Sequence, residues 1–139
     1  MSLVLDTSAT LAWIYDDETT AAIRHLFDTV ATAGAVVPAL WRLEVANSLT
    51  VGIRRGRISQ DFRRAALADL AVLDIMTDPC TEACAWTETL SLADRFRLTV
   101  YDAAYLELAH RRLLPLATLD GPLRSAASAL DIALLGADS

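Results

Sequence analysis

The sequence predicts an α/β fold, with a short-stranded, mainly parallel central sheet covered by helices on both faces and a single domain over residues 1–139. Three observations predict it. Brief apolar runs such as Leu3-Val4-Leu5 and Ala35-Val36-Val37 recur between longer stretches whose apolar residues repeat every three to four positions. The runs are apolar throughout rather than alternating, the pattern of strands buried on both faces. Runs and helical stretches alternate along the whole chain, which calls for crossover helices and parallel pairing. An all-α fold is the alternative, because the strands are short and helix outweighs them.

Element by element, residues 3–5 form a strand ending at Asp6, and 7–16 a helix with Leu11 and Ile14 facing inward. A helix over 18–32 gathers Ile23, Leu26, Phe27 and Val30 on one face. Residues 35–37 form a strand stopped by Pro38. The helix over 40–55 closes at Gly56, and Ser59 caps the next through about residue 73. A brief strand over 74–77 is followed by a helix from Pro79 through Phe96. Leu98-Thr99-Val100 leads into Asp102 and a helix to Arg112. A strand over 116–119, a helix over 122–130 and a strand over 132–135 complete the chain. No repeat, low-complexity tract or Gly/Ser linker interrupts it.

Composition sets limits on function. Hydrophobic residues make up 54% of the chain, above the ~45–50% of ordinary domains. Disorder is thereby disfavoured, and some apolar surface is expected beneath another chain. No charge-free apolar run reaches the roughly 18 residues of a membrane span. The start, MSLVLDTSATLAW, carries an acid and no cleavage motif, so a cytoplasmic protein without a signal peptide is expected. All 12 basic residues are arginine. Without lysine there is no Walker A loop, no Schiff base and no lysine general base. A net charge of −6 argues against nonspecific coating of nucleic acid, which rests on many basic phosphate contacts. Cys80 and Cys84 stand four residues apart, with His25 and His110 remote in sequence, and read as buried small hydrophobes rather than metal ligands.

Four acids carry the chemistry. In open α/β sheets, ligands gather outside the carboxyl ends of the strands. Asp6 and Asp120 each follow a predicted strand, Asp102 opens a helix, and Glu44 lies in the first turns of the helix after Pro38. Taken singly, Asp6 and Asp102 are N-caps, Asp120 a turn residue before Gly121-Pro122, and Glu44 a helix-surface acid; jointly, the fold sends all four to one rim. Two carboxylates 4 Å apart repel by about 4 kcal/mol at an effective dielectric near 20. A cation relieves that repulsion, and oxygen-only ligands select a hard ion such as Mg²⁺ or Mn²⁺. Such a site suits metal-dependent phosphoryl transfer or hydrolysis.

LVLDTSATLAW, WRLEVANSL, LTVYDAAYLELAHRRLLPLATLD and GPLRSAASALDIALL, taken in order, resemble the PIN-domain ribonucleases, and more closely the VapC toxins of VapBC toxin–antitoxin pairs. The resemblance spans nearly the whole chain and implies a PIN-like three-layer α/β/α fold. It also implies a Mg²⁺-dependent endoribonuclease, with Mn²⁺ able to substitute, in which activated water attacks a phosphodiester of specific tRNA or rRNA. Asp6 and Asp102 would contact the ion most directly, with Glu44 and Asp120 completing an acidic pocket. Ser8 and Thr118 match supporting hydroxyl positions, and Asp94, one helix earlier, reads as a solvated helix residue. Arg42, Arg54, Arg55 and Arg57 are candidates for gripping the RNA backbone. A homodimer and a VapB-like antitoxin are the implied partners, the antitoxin lying in an apolar groove near residues 8–30 and 40–56. Trp13, Ile14, Trp41 and Leu49 are candidates to line it. A PIN-like module that binds and autoregulates with little nuclease activity, and a metal-dependent DNA nuclease, are the alternatives. A phospho-receiver domain is excluded by the missing lysine and by the single acid after the first strand.

Overall fold

The computed structural model describes residues 2–137. Five short strands form one sheet: β1 (Val4–Leu5), β2 (Ala35–Val37), β3 (Ile75–Thr77), β4 (Leu116–Ala117) and β5 (Leu134–Leu135). The strand order is β3-β2-β1-β4-β5 and every pairing is parallel. Leu5 aligns with Ala117, and Val37 with Thr77. Asp6, Asp78 and Thr118 therefore all leave the sheet at its carboxyl edge. The chain winds outward from β1 through β2 to β3, then returns to the other side of β1 for β4 and β5. The reversal lies between β1 and β4, where open α/β sheets form a crevice for ligands.

Helices cover both faces. They are α1 (Thr7–Ile14), α2 (Ala21–Ala33), α3 (Trp41–Arg54), α4 (Gln60–Ala71), α5 (Thr81–Cys84), α6 (Glu88–Phe96), α7 (Val100–Arg112) and α8 (Gly121–Ala129). Leu3, Val4 and Leu5 have no solvent exposure at all, as a strand sandwiched between helical layers requires. The middle of α7, from Ala103 through Ala109, is buried on every side, Tyr105 and Glu107 included. It packs against α6, α8, β1 and β4. The predicted three-layer α/β/α arrangement is thus the observed one, and the sheet is wholly parallel among the described residues.

Local departures have local causes. The first helix stops at Ile14 rather than at residue 16, and Asp16–Glu18 forms a 3-10 turn. The Thr19 hydroxyl donates to the carbonyls of Ala12 and Tyr15 at 2.8 and 3.0 Å, occupying acceptors at the helix end. The next helix then starts at Ala21, because the Thr20 side chain accepts from the Ile23 amide. The helix expected over 79–96 is two helices. It breaks at Thr87, whose φ of −119° and ψ of −99° no helix tolerates. The break re-aims α6 so that Thr89 and Ala93 are buried, and leaves Trp86 90% exposed, with no Gly or Pro to announce it. Cys80 is exposed and Cys84 partly so, which corrects the reading of both as buried.

Two glycines answer to the fold. Gly56 takes φ +74° just beyond α3, the left-handed conformation that ends helices. Gly52 lies inside α3, and a Cβ there would meet the Tyr15 hydroxyl at 2.7 Å. Among the described residues no helix is long and apolar enough to cross a membrane.

Candidate active site at the carboxyl edge of the sheet

Asp6 ends β1 and caps α1, its Oδ1 accepting from the Ala9 amide at 2.9 Å. Its backbone carbonyl accepts from the Thr10 hydroxyl at 2.7 Å, and Thr10 accepts from the Trp41 indole N–H at 3.1 Å. That relay ties the start of α3 to the end of β1, which sets Glu44, one turn into α3, against the crevice. Leu49 is consumed by the core, while Trp41 and Ile14, also buried, each back a surface cleft.

Ser8 and Thr118 do what hydroxyls beside an acid can do. Ser8 Oγ lies 2.8 and 2.9 Å from the two oxygens of Asp6, and Thr118 donates to Oδ2 at 2.5 Å. Each hydroxyl also accepts an amide from the loop after β4: Leu119 N–H on Ser8 at 2.9 Å, and Asp120 N–H on Thr118 at 3.0 Å. The two loops flanking the reversal of strand order are therefore laced through the Asp6 carboxylate. Arg124 fastens the outer side, donating to the carbonyls of Thr118 and Leu135 at 2.6 and 3.2 Å.

Asp120 caps α8 through Oδ2, which accepts from the Leu123 amide at 3.0 Å. Asp102 is not the cap of its helix. Thr99 is, accepting the Asp102 amide at 3.1 Å, and Asp102 sits in the first turn with its carboxylate half-buried. Glu44 is held differently. Tyr105, one turn beyond Asp102 on α7, donates to Glu44 Oε1 at 2.5 Å, and Thr7 donates to the same oxygen at 3.1 Å. Tyr105 and Thr7 escaped the sequence reading. A lone buried tyrosine within an apolar helix gives no signal until the fold supplies its acceptor.

The electrostatics make this a group of acids that feel one another. Burial pushes Asp6 up to about 6, against the lowering pull of the Ala9 amide and the Thr118 and Ser8 hydroxyls, with the Asp102 charge adding to the rise. Asp102 is raised by burial first and then by the charges of Asp120 and Glu44. All four predicted acids thus share one field. As they stand, no three carboxylate, His or Cys groups among the described residues converge closely enough to ligate one ion together. The ion pairs among the described residues all lie elsewhere, and no arginine reaches Asp6, Glu44, Asp102 or Asp120. An oxygen-only donor set in a field of uncompensated negative charge fits a hard divalent cation, and fits zinc or copper poorly.

The arginines divide. Arg57 is spent, paired with Asp17 at 3.1 Å and Glu18 at 2.7 Å and stacked over the Tyr15 ring. Arg54 and Arg55 are exposed at the end of α3, about 15 Å of helix rise beyond Glu44. Arg42 is exposed two positions before Glu44, a spacing that turns the two side chains to different faces. It lines a separate cleft with Trp41, Val45 and Leu70. Asp94 is exposed on α6.

Comparison with known proteins places this geometry. PAE2754 from Pyrobaculum aerophilum has a similar structure, with TM-score 0.71 and 24% identity over 96% of this chain and 83% of that one. FitAcB from Neisseria gonorrhoeae is similar at TM-score 0.62 and 16% identity, over 97% of this chain and 96% of that one. No curated protein matches in sequence. The model of the PIN domain matches residues 3–128. With that match over most of its length, and the acids set about the reversal of strand order, the chain belongs to the PIN domain family.

Proposed function

We propose that this chain is a Mg²⁺-dependent endoribonuclease of the VapC type, the toxin of a toxin–antitoxin pair. PIN domains are in general nucleases, which supplies the reaction class. One observation carries the ion-dependent part of this reading: four acids share a field at the crevice of the sheet, and among the described residues no arginine pairs with them. Asp6 and Asp102 would hold the ion most directly, with Glu44 and Asp120 completing the pocket. When bound, such an ion supplies an acidified water and neutralises charge on the scissile phosphate. The chain's own residues do the rest. Ser8 and Thr118 hold both oxygens of Asp6 in place, and the amides of Ala9, Leu119 and Asp120 fix the loops around it. Arg42, Arg54 and Arg55 remain the candidates for contacts to the RNA backbone, while Arg57 serves the fold.

A surface cleft supports the antitoxin part of this reading. Trp13, stacked on Phe27 at 4.5 Å, lines a cleft of about 310 Å³ with Ile14, Phe62, Ala66, Asp16 and Asp69, so its second wall is α4 and not the 40–56 segment the resemblance implied. A VapB-like segment with apolar anchors and basic flanks is the complementary occupant. A homodimer is the other expected assembly, and exposed apolar residues such as Leu43, Trp86 or Leu113 are candidates for its interface.

The test begins with the ion. Thermal unfolding with Mn²⁺ and Mg²⁺, for the wild type and Asp6→Asn in parallel, is expected to give stabilisation only in the wild type. That amounts to about 2.7 kcal/mol at a hundredfold excess over Kd. Cleavage of tRNA and rRNA, with single-stranded DNA as the competitor substrate, then follows. Absence of any ion effect into the millimolar range would favour the binding-module reading, and preference for DNA would correct the substrate.

A further inference from the structure

Glu44 lies inside a helix rather than at its start, and side chains from two other elements hold its carboxylate. Its Oε1 sits between two hydroxyls. Tyr105 donates to it at 2.5 Å, Thr7 donates at 3.1 Å, and the two hydroxyl oxygens are 3.1 Å from each other. Oε2 takes part in no hydrogen bond among the described residues. Tyr105 is 1% exposed and locked by packing on α7, one helical turn past Asp102 and on the same face. Thr7 directly follows Asp6. The two groups that grip Glu44 thus belong to the two elements that carry Asp6 and Asp102.

We propose, resting on the ion-dependent reading above, that Tyr105 is a positioning residue: its hydroxyl, aided by Thr7, fixes Glu44 with one oxygen committed to the protein and the other left for the ion. A glutamate on a partly exposed helix face otherwise samples many rotamers, and ordering it on arrival of the ion would weaken binding. Partners that orient ligating carboxylates typically change metal affinity by about 10–100-fold when removed.

The experiment is a calorimetric Mn²⁺ titration of the full chain as wild type, Tyr105→Phe, Glu44→Gln and the double variant, with the ion-free melting temperature of each. Tyr105→Phe is expected to weaken Mn²⁺ binding about tenfold. In the Glu44→Gln background the same change is expected to do almost nothing further, since the tyrosine acts through the carboxylate. A tyrosine with a merely structural role would lower the melting temperature and leave the affinity within twofold. That result, with Glu44→Gln weakened, overturns the positioning role and leaves the ion site standing. A wild type that binds no Mn²⁺ overturns both. Should Tyr105→Phe fail to fold, Thr7→Val carries the test, with roughly threefold weakening expected and unchanged affinity counting against the proposal.

Discussion

Asp6 and Asp78 are both buried aspartates standing directly after a parallel strand, yet the fold treats them in opposite ways. The Asp78 side chain has no solvent exposure and receives Arg111 at 2.7 Å and Arg112 at 2.7 Å, with the Cys80 amide at 3.1 Å. Burial would raise its carboxyl, and the two guanidiniums more than reverse that, holding it below the usual range. Glu107, also buried, pairs with Arg111 at 2.9 Å. Asp6 receives hydroxyls and one amide but no cation, and rises to about 6. One helix serves both places, since α7 brings Asp102 to the crevice near its first turn and Arg111 and Arg112 to Asp78 at its last. The chain has arginines to spare for neutralising buried acid, and among the described residues they pair with Asp78 and Glu107 but not with Asp6, Glu44, Asp102 or Asp120. An acidic cluster left without its own cation is where an outside cation is expected.

The comparison breaks most visibly in activity. Asp6→Asn and Asp102→Asn are each expected to lower RNA cleavage by about a thousandfold, on the order of 4 kcal/mol in the barrier. Asp78→Asn is expected to leave the rate of the folded fraction within a few-fold. Single-turnover cleavage in Mg²⁺, normalised to folded protein, measures both. Wild-type rates from Asp102→Asn would dissolve the functional side of the contrast.

Stability should sort the two sites the other way. Removing one partner of a buried ion pair costs about 3–5 kcal/mol. Arg111 and Arg112 are each about a third exposed and recover some water, so Asp78→Ala belongs at the lower end. That corresponds to a melting temperature lower by roughly 10 °C. Asp6→Asn, measured without divalent ions, is expected to unfold at or above the wild-type temperature, because it removes a carboxylate whose charged form the fold disfavours. An ion-free Asp6→Asn lowered by several degrees would mean that its capping and lacing hydrogen bonds outweigh burial and repulsion.

The pH dependence sharpens the same contrast. The Asp6 carboxyl is raised from 3.8 to about 6, so its favourable contribution is complete below pH 3.8 and is lost as pH climbs through 6. At about 1.4 kcal/mol per unit, that is at most about 3 kcal/mol by pH 7. Asp78 is lowered, so its contribution is present above its unfolded value of 3.8 and is lost as pH falls through the folded one. In urea unfolding with EDTA, the stability of Asp6→Asn relative to wild type is expected to rise between pH 4 and 7. The deficit of Asp78→Ala is expected to shrink as pH drops below about 4. A flat Asp6→Asn difference across that range would remove burial as the cause of the shift.

Much of the crevice was legible because it is written locally. Strand ends followed by an acid and a helix start reveal Asp6 and Asp120 through patterns a few residues long, while Ser8 and Thr118 came only from the family resemblance. Glu44 could be placed because its helix follows β2, and Asp102 because a helix opens after the Leu98-Thr99-Val100 run, although α7 follows α6 with no strand between them. What stayed hidden depends on long-range register. Tyr105 meets Glu44 across 61 positions, and Arg111 meets Asp78 across 33. Arg57 looked like one of a free run of arginines, and its pairing with Asp17 and Glu18 depends on the 3-10 turn that Thr19 creates. The break at Thr87 was invisible for a similar reason: the packing of α6 against α7 sets it, with no helix-breaking residue present.

The smallest effect expected concerns Cys80 and Cys84, which border the neutralised site. Cys80 gives its amide to Asp78, a backbone contact that any side chain preserves. Burial raises the Cys84 thiol, as does the neighbouring Glu107 carboxylate, so it stays protonated at neutral pH and is a poor metal ligand or nucleophile. Neither thiol belongs to a cluster of three or more His, Cys, Asp or Glu groups able to hold a metal among the described residues. Cys80→Ser with Cys84→Ser is therefore expected to keep RNA cleavage within twofold, with a melting temperature lower by about 1–3 °C because a serine beside Glu107 replaces a thiol. A larger thermal loss would mean that Cys84 helps to hold Glu107 for Arg111. An activity loss reversed by added zinc would place a second, thiolate-bound ion beside Asp78, and the arginines there would no longer suffice to explain why that end of α7 is quiet.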